Sequence, residues 1–110
     1  MQPLSETTEK ASAFLKGLAS PHRLAILCAL QQGELCVSDI QDKTGLPPTS
    51  LSQHLSKLKQ EGIITYRRDH RTLYYCICND LARKIMELLY VTYCHTEKTS
   101  YGTSNCQRKG

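Results

Sequence analysis

Three features of the sequence predict a mostly helical α+β fold. The first half of residues 46–75 reads as a helix with an apolar seam at Leu51, Leu55 and Leu58, the spacing that one buried face requires. Gly62 stops that helix, and two β-prone runs, residues 63–68 and 71–78, meet at a tight turn, Asp69–His70. Helical segments stand on both sides of this unit, and the first and last carry more apolar surface than one small core needs. Together these describe a winged helix-turn-helix with N- and C-terminal dimerisation helices.

Each element follows from local signals. Residues 5–18 form an amphipathic helix with Ala11, Phe14, Leu15 and Leu18 on one side and Ser5 as its N-cap. Ser20-Pro21 opens the second helix, Ser at the cap and Pro in the first turn. Leu24, Leu27, Cys28 and Leu30 give that helix a buried character, and Gly33 ends it. Residues 34–36 are a short extended piece. Residues 37–43 form a brief helix around Ile40, closed by Thr44-Gly45. Leu46-Pro47-Pro48 is the turn into the next helix, because proline disrupts a helix interior but opens a helix well. After the hairpin, residues 80–93 make a last helix with Leu81, Ile85, Leu88, Leu89 and Thr92 tracing one face. Residues 5–95 form one domain. Residues 96–110 are polar, Gly/Ser/Thr-rich and without period, the pattern of a disordered tail.

Composition narrows the function. The chain has 110 residues, 40% hydrophobic, with no Trp, so its core is small and aliphatic and gains from a second copy. Its net charge is +4, but residues 46–75 hold Lys57, Lys59, Arg67, Arg68 and Arg71 against Glu61 and Asp69, a local balance of +3. This is where a polyanion would bind. The N-terminus is polar and lacks the apolar core of a signal peptide, and no apolar run approaches the ~20 residues of a membrane span. The expected setting is cytoplasmic, with no membrane partner. No Gly-rich phosphate loop, no Cys-x-x-Cys and no Ser/His/Asp arrangement supports an enzyme, and no pattern calls for a cofactor.

Around the apolar seam sit Thr49, Ser50, Ser52, Gln53, His54 and Lys57, donors and acceptors suited to base edges and phosphates. Arg67, Arg68, His70 and Arg71 flank the hairpin turn, where sequence-tolerant phosphate or minor-groove contacts are made. A hairpin built for protein partners would expose apolar groups instead, so a protein-interaction module is the remoter reading. Two copies on a two-fold axis would place two such helices about one DNA turn apart, on an inverted repeat of double-stranded DNA.

Six cysteines remain to be placed. Cys28 alone reads as a small core residue, since cysteine is among the most buried residue types. Cys94 ends the last helix beside His95, a position less suited to packing. Cys76 and Cys78 share one strand face and read as strand core or as metal ligands. Cys106 lies in the tail.

The stretches Leu18-Ala19-Ser20-Pro21-His22-Arg23-Leu24, Gly33-Glu34-Leu35-Cys36-Val37-Ser38-Asp39-Ile40 and Ser52-Gln53-His54-Leu55-Ser56-Lys57-Leu58, with Gly62-Ile63-Ile64, resemble the ArsR/SmtB family of bacterial repressors over about residues 8–95. The resemblance implies a homodimeric repressor that leaves its operator when an inducer binds or modifies it. Soft-metal sensors of that family carry two cysteines separated by one residue; here Cys36 matches the first, but Ser38 replaces the second, which undermines a trigonal thiolate site. The family's zinc sensors use Asp, His and Glu on the last helix, and Asp80, Glu87 and His95 do not keep that spacing. No metal site is therefore expected, and a metal-responsive repressor stands as the alternative. Cys28 and Cys94 with their surroundings resemble the sulfide- and redox-responsive branch. There the matching pair is bridged within one subunit by reactive sulfur species or oxidants, and the bridge is the signal. A simple disulfide needs Cα atoms about 4.4–6.8 Å apart.

Overall fold

The computed structural model describes residues 4–94. Five helices and three strands follow in the order α1 Leu4–Leu18, α2 Pro21–Leu30, β1 Leu35–Cys36, α3 Val37–Thr44, α4 Pro48–Gln60, β2 Ile64–Asp69, β3 Thr72–Ile77 and α5 Asp80–Cys94. The sheet is antiparallel in the order β1-β3-β2, so the long hairpin β2–β3 is anchored to the body through β1. Ile26 and Leu27 of α2, Ile40 of α3, Leu51 and Leu58 of α4, and Ile63 and Ile64 before and in β2 are the most deeply buried large side chains. One aliphatic core therefore joins α2, the α3–α4 pair and the root of the hairpin. Residues 95–110, including His95, Glu97, Cys106 and the expected tail, lie outside the described residues.

The helix ends are set by the residues the sequence put there. Ser20 caps α2 by accepting from the Arg23 N–H at 3.4 Å, and Pro21 occupies the first turn, where it forfeits no helical hydrogen bond. Gly45, at φ 74°, closes α3 in the left-handed conformation that other residues resist. The end of α4 is a Schellman motif: Ile63 N–H donates to Leu58 O and Gly62 N–H to Lys59 O, both at 3.0 Å, with Gly62 at φ 77°. That motif aims β2 away from α4 and sets where the hairpin stands.

Several sequence expectations need correction. Ser5 is inside α1, which starts at Leu4, so it is not the cap. On α1 only Leu18 is buried; Phe14 is half-buried, and Ala11 and Leu15 are exposed. Helix α2 ends at Leu30, with Gly33 beyond it at φ 143°. Cys28 was grouped with the buried side of α2, but it is exposed, because Ile26, Leu27 and Leu30 take the inner face. The hairpin turn consists of His70 and Arg71, since Asp69 pairs with Thr72; His70 adopts φ 62° there. On α5 the inner face is Ala82 and Met86, with Ile85 and Leu89 partly covered. Leu81 and Leu88 of the predicted face, and Thr92 with them, point outward. Two apolar stripes one residue out of phase therefore run along α5, and periodicity alone merged them.

Candidate functional site

Helices α3 and α4 with the turn between them form a helix-turn-helix, in which Leu46, Leu51, Leu55 and Leu58 hold α4 against the core. The opposite side is polar. Thr49, Ser52, Gln53 and Lys57 are exposed, and Ser50 and His54 are half-buried. His54 turns toward α2, where its ring lies 5.4 Å from that of His22. Burial lowers the His54 pKa below its ordinary value, and the neighbouring His22 and Arg23 lower it further. Arg23, Gln53, His54, Lys57 and Gln60 border a groove of about 560 Å³ beside α4. Arg23 itself is a brace: its Nη1 donates to Gly17 O at 2.7 Å and to Glu61 Oε1 at 3.3 Å, tying α1 and α2 to the end of α4. His22 and Arg23 were not singled out from the sequence, because nothing local shows that the start of α2 meets the middle of α4.

The hairpin separates its arginines by role. Arg67 is held in a two-pronged pair by Glu34, Nε to Oε2 at 2.8 Å and Nη2 to Oε1 at 3.0 Å. Its guanidinium also lies 4.7 Å from the centroid of the Tyr74 ring, its cross-strand neighbour. Arg67 therefore fastens the wing to the body. Arg68, His70 and Arg71 are exposed at the tip, with His70 Nδ1 2.9 Å from Asp69 Oδ1.

Cys28 lies on the rim of a groove of about 530 Å³ between α2 and α5. Leu24 of α2 and Gln31, just past its end, flank it; Met86, Leu89, Tyr90 and Tyr93 face it from α5. Cys94 follows Tyr93 and is four residues on from Tyr90, so its backbone continues the helical stripe that borders this groove. Lys43 of α3 shares with Cys28 a second, smaller depression of about 320 Å³. The remaining described thiols are occupied differently. Cys36 donates to Asp39 Oδ2 at 3.4 Å. Cys78 donates to Gly62 O at 3.5 Å, and burial pushes its pKa up, so it stays protonated near neutrality. Cys76 is buried on β3 and its sulfur is in a disulfide. Of the two readings the sequence left for Cys76, its burial on the strand agrees with strand core. Among the described residues no three His, Cys, Asp or Glu side chains converge as a metal site, and no single helix is long and apolar enough to cross a membrane.

A polar recognition helix, a basic hairpin beside it and two flanking helices define a winged helix-turn-helix transcriptional regulator, a non-enzymatic class. The family model for bacterial regulatory proteins of the arsR family matches residues 20–66. The nodulation protein NolR of Rhizobium meliloti is 41% identical over 97 residues, which cover 84% of this chain and 80% of that one. The transcriptional repressor BigR of Xylella fastidiosa has a similar solved structure, with a TM-score of 0.77 at 29% identity over 88% of this chain and 96% of its own. So does a homodimeric winged helix-turn-helix DNA-binding domain of Mycobacterium bovis, a possible ArsR-family regulator, with a TM-score of 0.70 at 29% identity over 94% of this chain and 96% of its own. The chain belongs to the ArsR family.

Proposed function

We propose that this protein is a homodimeric repressor that releases an inverted-repeat operator when Cys28 and Cys94 become bridged. Thr49, Ser50, Ser52, Gln53 and His54 contact bases and nearby phosphates, and Lys57 contacts the backbone. Arg68, His70 and Arg71 extend the contact along the duplex, while Arg67 contributes by holding the wing. Self-association is supported by the outward stripe of α5, where Leu81, Leu88 and Val91 are 53–68% exposed, and by Leu4 and Leu15 on α1. The M. bovis neighbour is a homodimer.

The observation that carries the sensing half is the place of Cys28. An exposed thiol among apolar helix residues is not a packing residue, and it borders the same groove as the end of α5. With an organic persulfide RSSH as inducer, one thiol takes the outer sulfur and RSH leaves. The second thiol then attacks that cysteine persulfide, forming the cysteine–cysteine bond and releasing H₂S. Two thiols are oxidised and the sulfane sulfur is reduced, so the step balances. The bond ties α2, which supports α4, to α5, which carries the dimer stripe. That alters the angle between two recognition helices that must enter successive major grooves together. Cys28→Ser and Cys94→Ser should each bind operator yet ignore persulfide; normal release by either variant refutes the assignment. The metal-responsive alternative has no convergent ligand group among the described residues in its favour.

A further inference from the structure

We infer that the groove between α2 and α5 is a binding site for an apolar organosulfur compound containing a sulfur–sulfur bond, and that it selects which thiol-reactive molecules reach Cys28. This rests on the sensing role proposed for Cys28 and specifies the inducer's chemistry. Three observations converge. The groove holds about 530 Å³, within the range that takes a small organic ligand. Its walls are Leu24, Met86, Leu89 and the rings of Tyr90 and Tyr93, which favour an aromatic or branched body over a hydrated one. The third is Gln31. Its amide Nε2 and Oε1 are both buried at this groove with no hydrogen-bond partner among the described residues. Buried polar atoms are almost always paired. A ligand presenting one donor and one acceptor would pair both at once, with its apolar body along α5 and its sulfur toward the rim where Cys28 sits.

The chemistry at the rim is thiol exchange. The Cys28 sulfur attacks one sulfur of R–S–S–R, forming Cys28–S–S–R; the old sulfur–sulfur bond breaks, and the leaving RS⁻ takes up the thiol proton. Attack by Cys94 then expels the second RSH and leaves the cysteine bridge.

The test compares two reagents of one reaction type on the full-length protein, benzyl methanethiosulfonate and methyl methanethiosulfonate. Each transfers its RS group to a thiol, and methanesulfinate leaves. Rates are read at Cys28 and, as an internal reference away from the groove, at Cys36, by peptide mass spectrometry. The benzyl-to-methyl rate ratio should be at least tenfold larger at Cys28 than at Cys36, with saturation at high benzyl reagent. Benzamide, an aromatic ring with one amide, should protect Cys28 but not Cys36. Gln31→Leu should weaken that protection severalfold while leaving the benzyl preference, a pattern that misfolding would not produce. Equal ratios at the two cysteines overturn the proposal. So does a Cys28 rate that falls as protein concentration rises, since a second copy would then cover the groove. Diamide, which removes one hydrogen from each of two thiols without needing the groove, separates this from the sensing role. If diamide bridges the pair and releases DNA while the benzyl preference is absent, the groove assignment fails and the sensor stands. If the preference is present but bridging leaves DNA bound, the sensing role fails instead.

Discussion

Replacing the wing arginines one at a time should separate an anchor from a phosphate contact. Arg67 is engaged twice within the protein, by the Glu34 carboxylate and by the Tyr74 ring. Arg68 is exposed near the end of β2 and Arg71 is exposed in the turn itself. Each phosphate neutralised by a cation contributes about −0.9 to the slope of log K against log salt. A dimer carries every substitution twice, so Arg68→Ala should flatten the slope by about 1.8, and Arg68→Ala with Arg71→Ala by about 3.6. Between about 50 and 200 mM salt, a difference of about 1.8 makes wild-type binding fall by roughly tenfold more than that of Arg68→Ala. Arg67→Ala should leave the slope unchanged. Its effect is on the free protein, where Glu34 loses its partner and the wing its tie to the segment before β1, lowering the melting temperature. Fluorescence anisotropy on a labelled operator over a salt series measures the slopes, and thermal unfolding measures the anchor. The reasoning is refuted if Arg67→Ala flattens the slope as much as Arg68→Ala, or if the double variant keeps the wild-type slope.

Three further outcomes are expected. Leu88→Asp, at a residue 68% exposed in the single chain, should shift sedimentation from dimer to monomer while changing the unfolding of the monomer by only about 0.5 kcal/mol; a variant that stays dimeric moves the interface off α5. Gln53→Ala should reduce discrimination between operator and mutated sites by about 1–3 kcal/mol if the amide pairs two base atoms, and equal losses on all sequences would make it a backbone contact. His54 has its pKa lowered in the fold, chiefly by burial and then by His22 and Arg23, so the unfolded chain binds that proton more readily. The corresponding stability is present above the ordinary value of 6.5 and is lost as pH falls through it toward the folded value. Denaturant melts should therefore weaken on acidification less in His54→Gln than in wild type; identical pH profiles would remove His54 from the account.

What was legible in the sequence was what neighbouring residues decide. Ser20-Pro21, Gly45 and Gly62 punctuate the helices as read, and Leu51, Leu55 and Leu58 are buried as their spacing requires. The polar side of α4 and the basic hairpin were visible for the same reason. The misplaced parts depend on the tertiary fold. The outward position of Cys28 is set by α5 packing on one side of α2 and the core on the other. The two stripes of α5 differ by one residue, about 100° around the axis, and a sequence without its neighbours does not say which one is inside. The Arg67–Glu34 pair joins β2 to the residue before β1, the contact of His54 with His22 joins α4 to α2, and the Gln31 amide, unpaired among the described residues, lies at the groove between α2 and α5.

The most direct measurement follows bridging and DNA binding in one sample. The full-length protein is bound to labelled operator and titrated with an organic persulfide, anisotropy is read at each step, and aliquots are mapped by peptide mass spectrometry. The account predicts that the fraction of subunits with a Cys28–Cys94 link rises in parallel with the fraction of operator released, and that a thiol reductant reverses both. Release that tracks a link through Cys76, or release complete while Cys28 remains reduced, would contradict it.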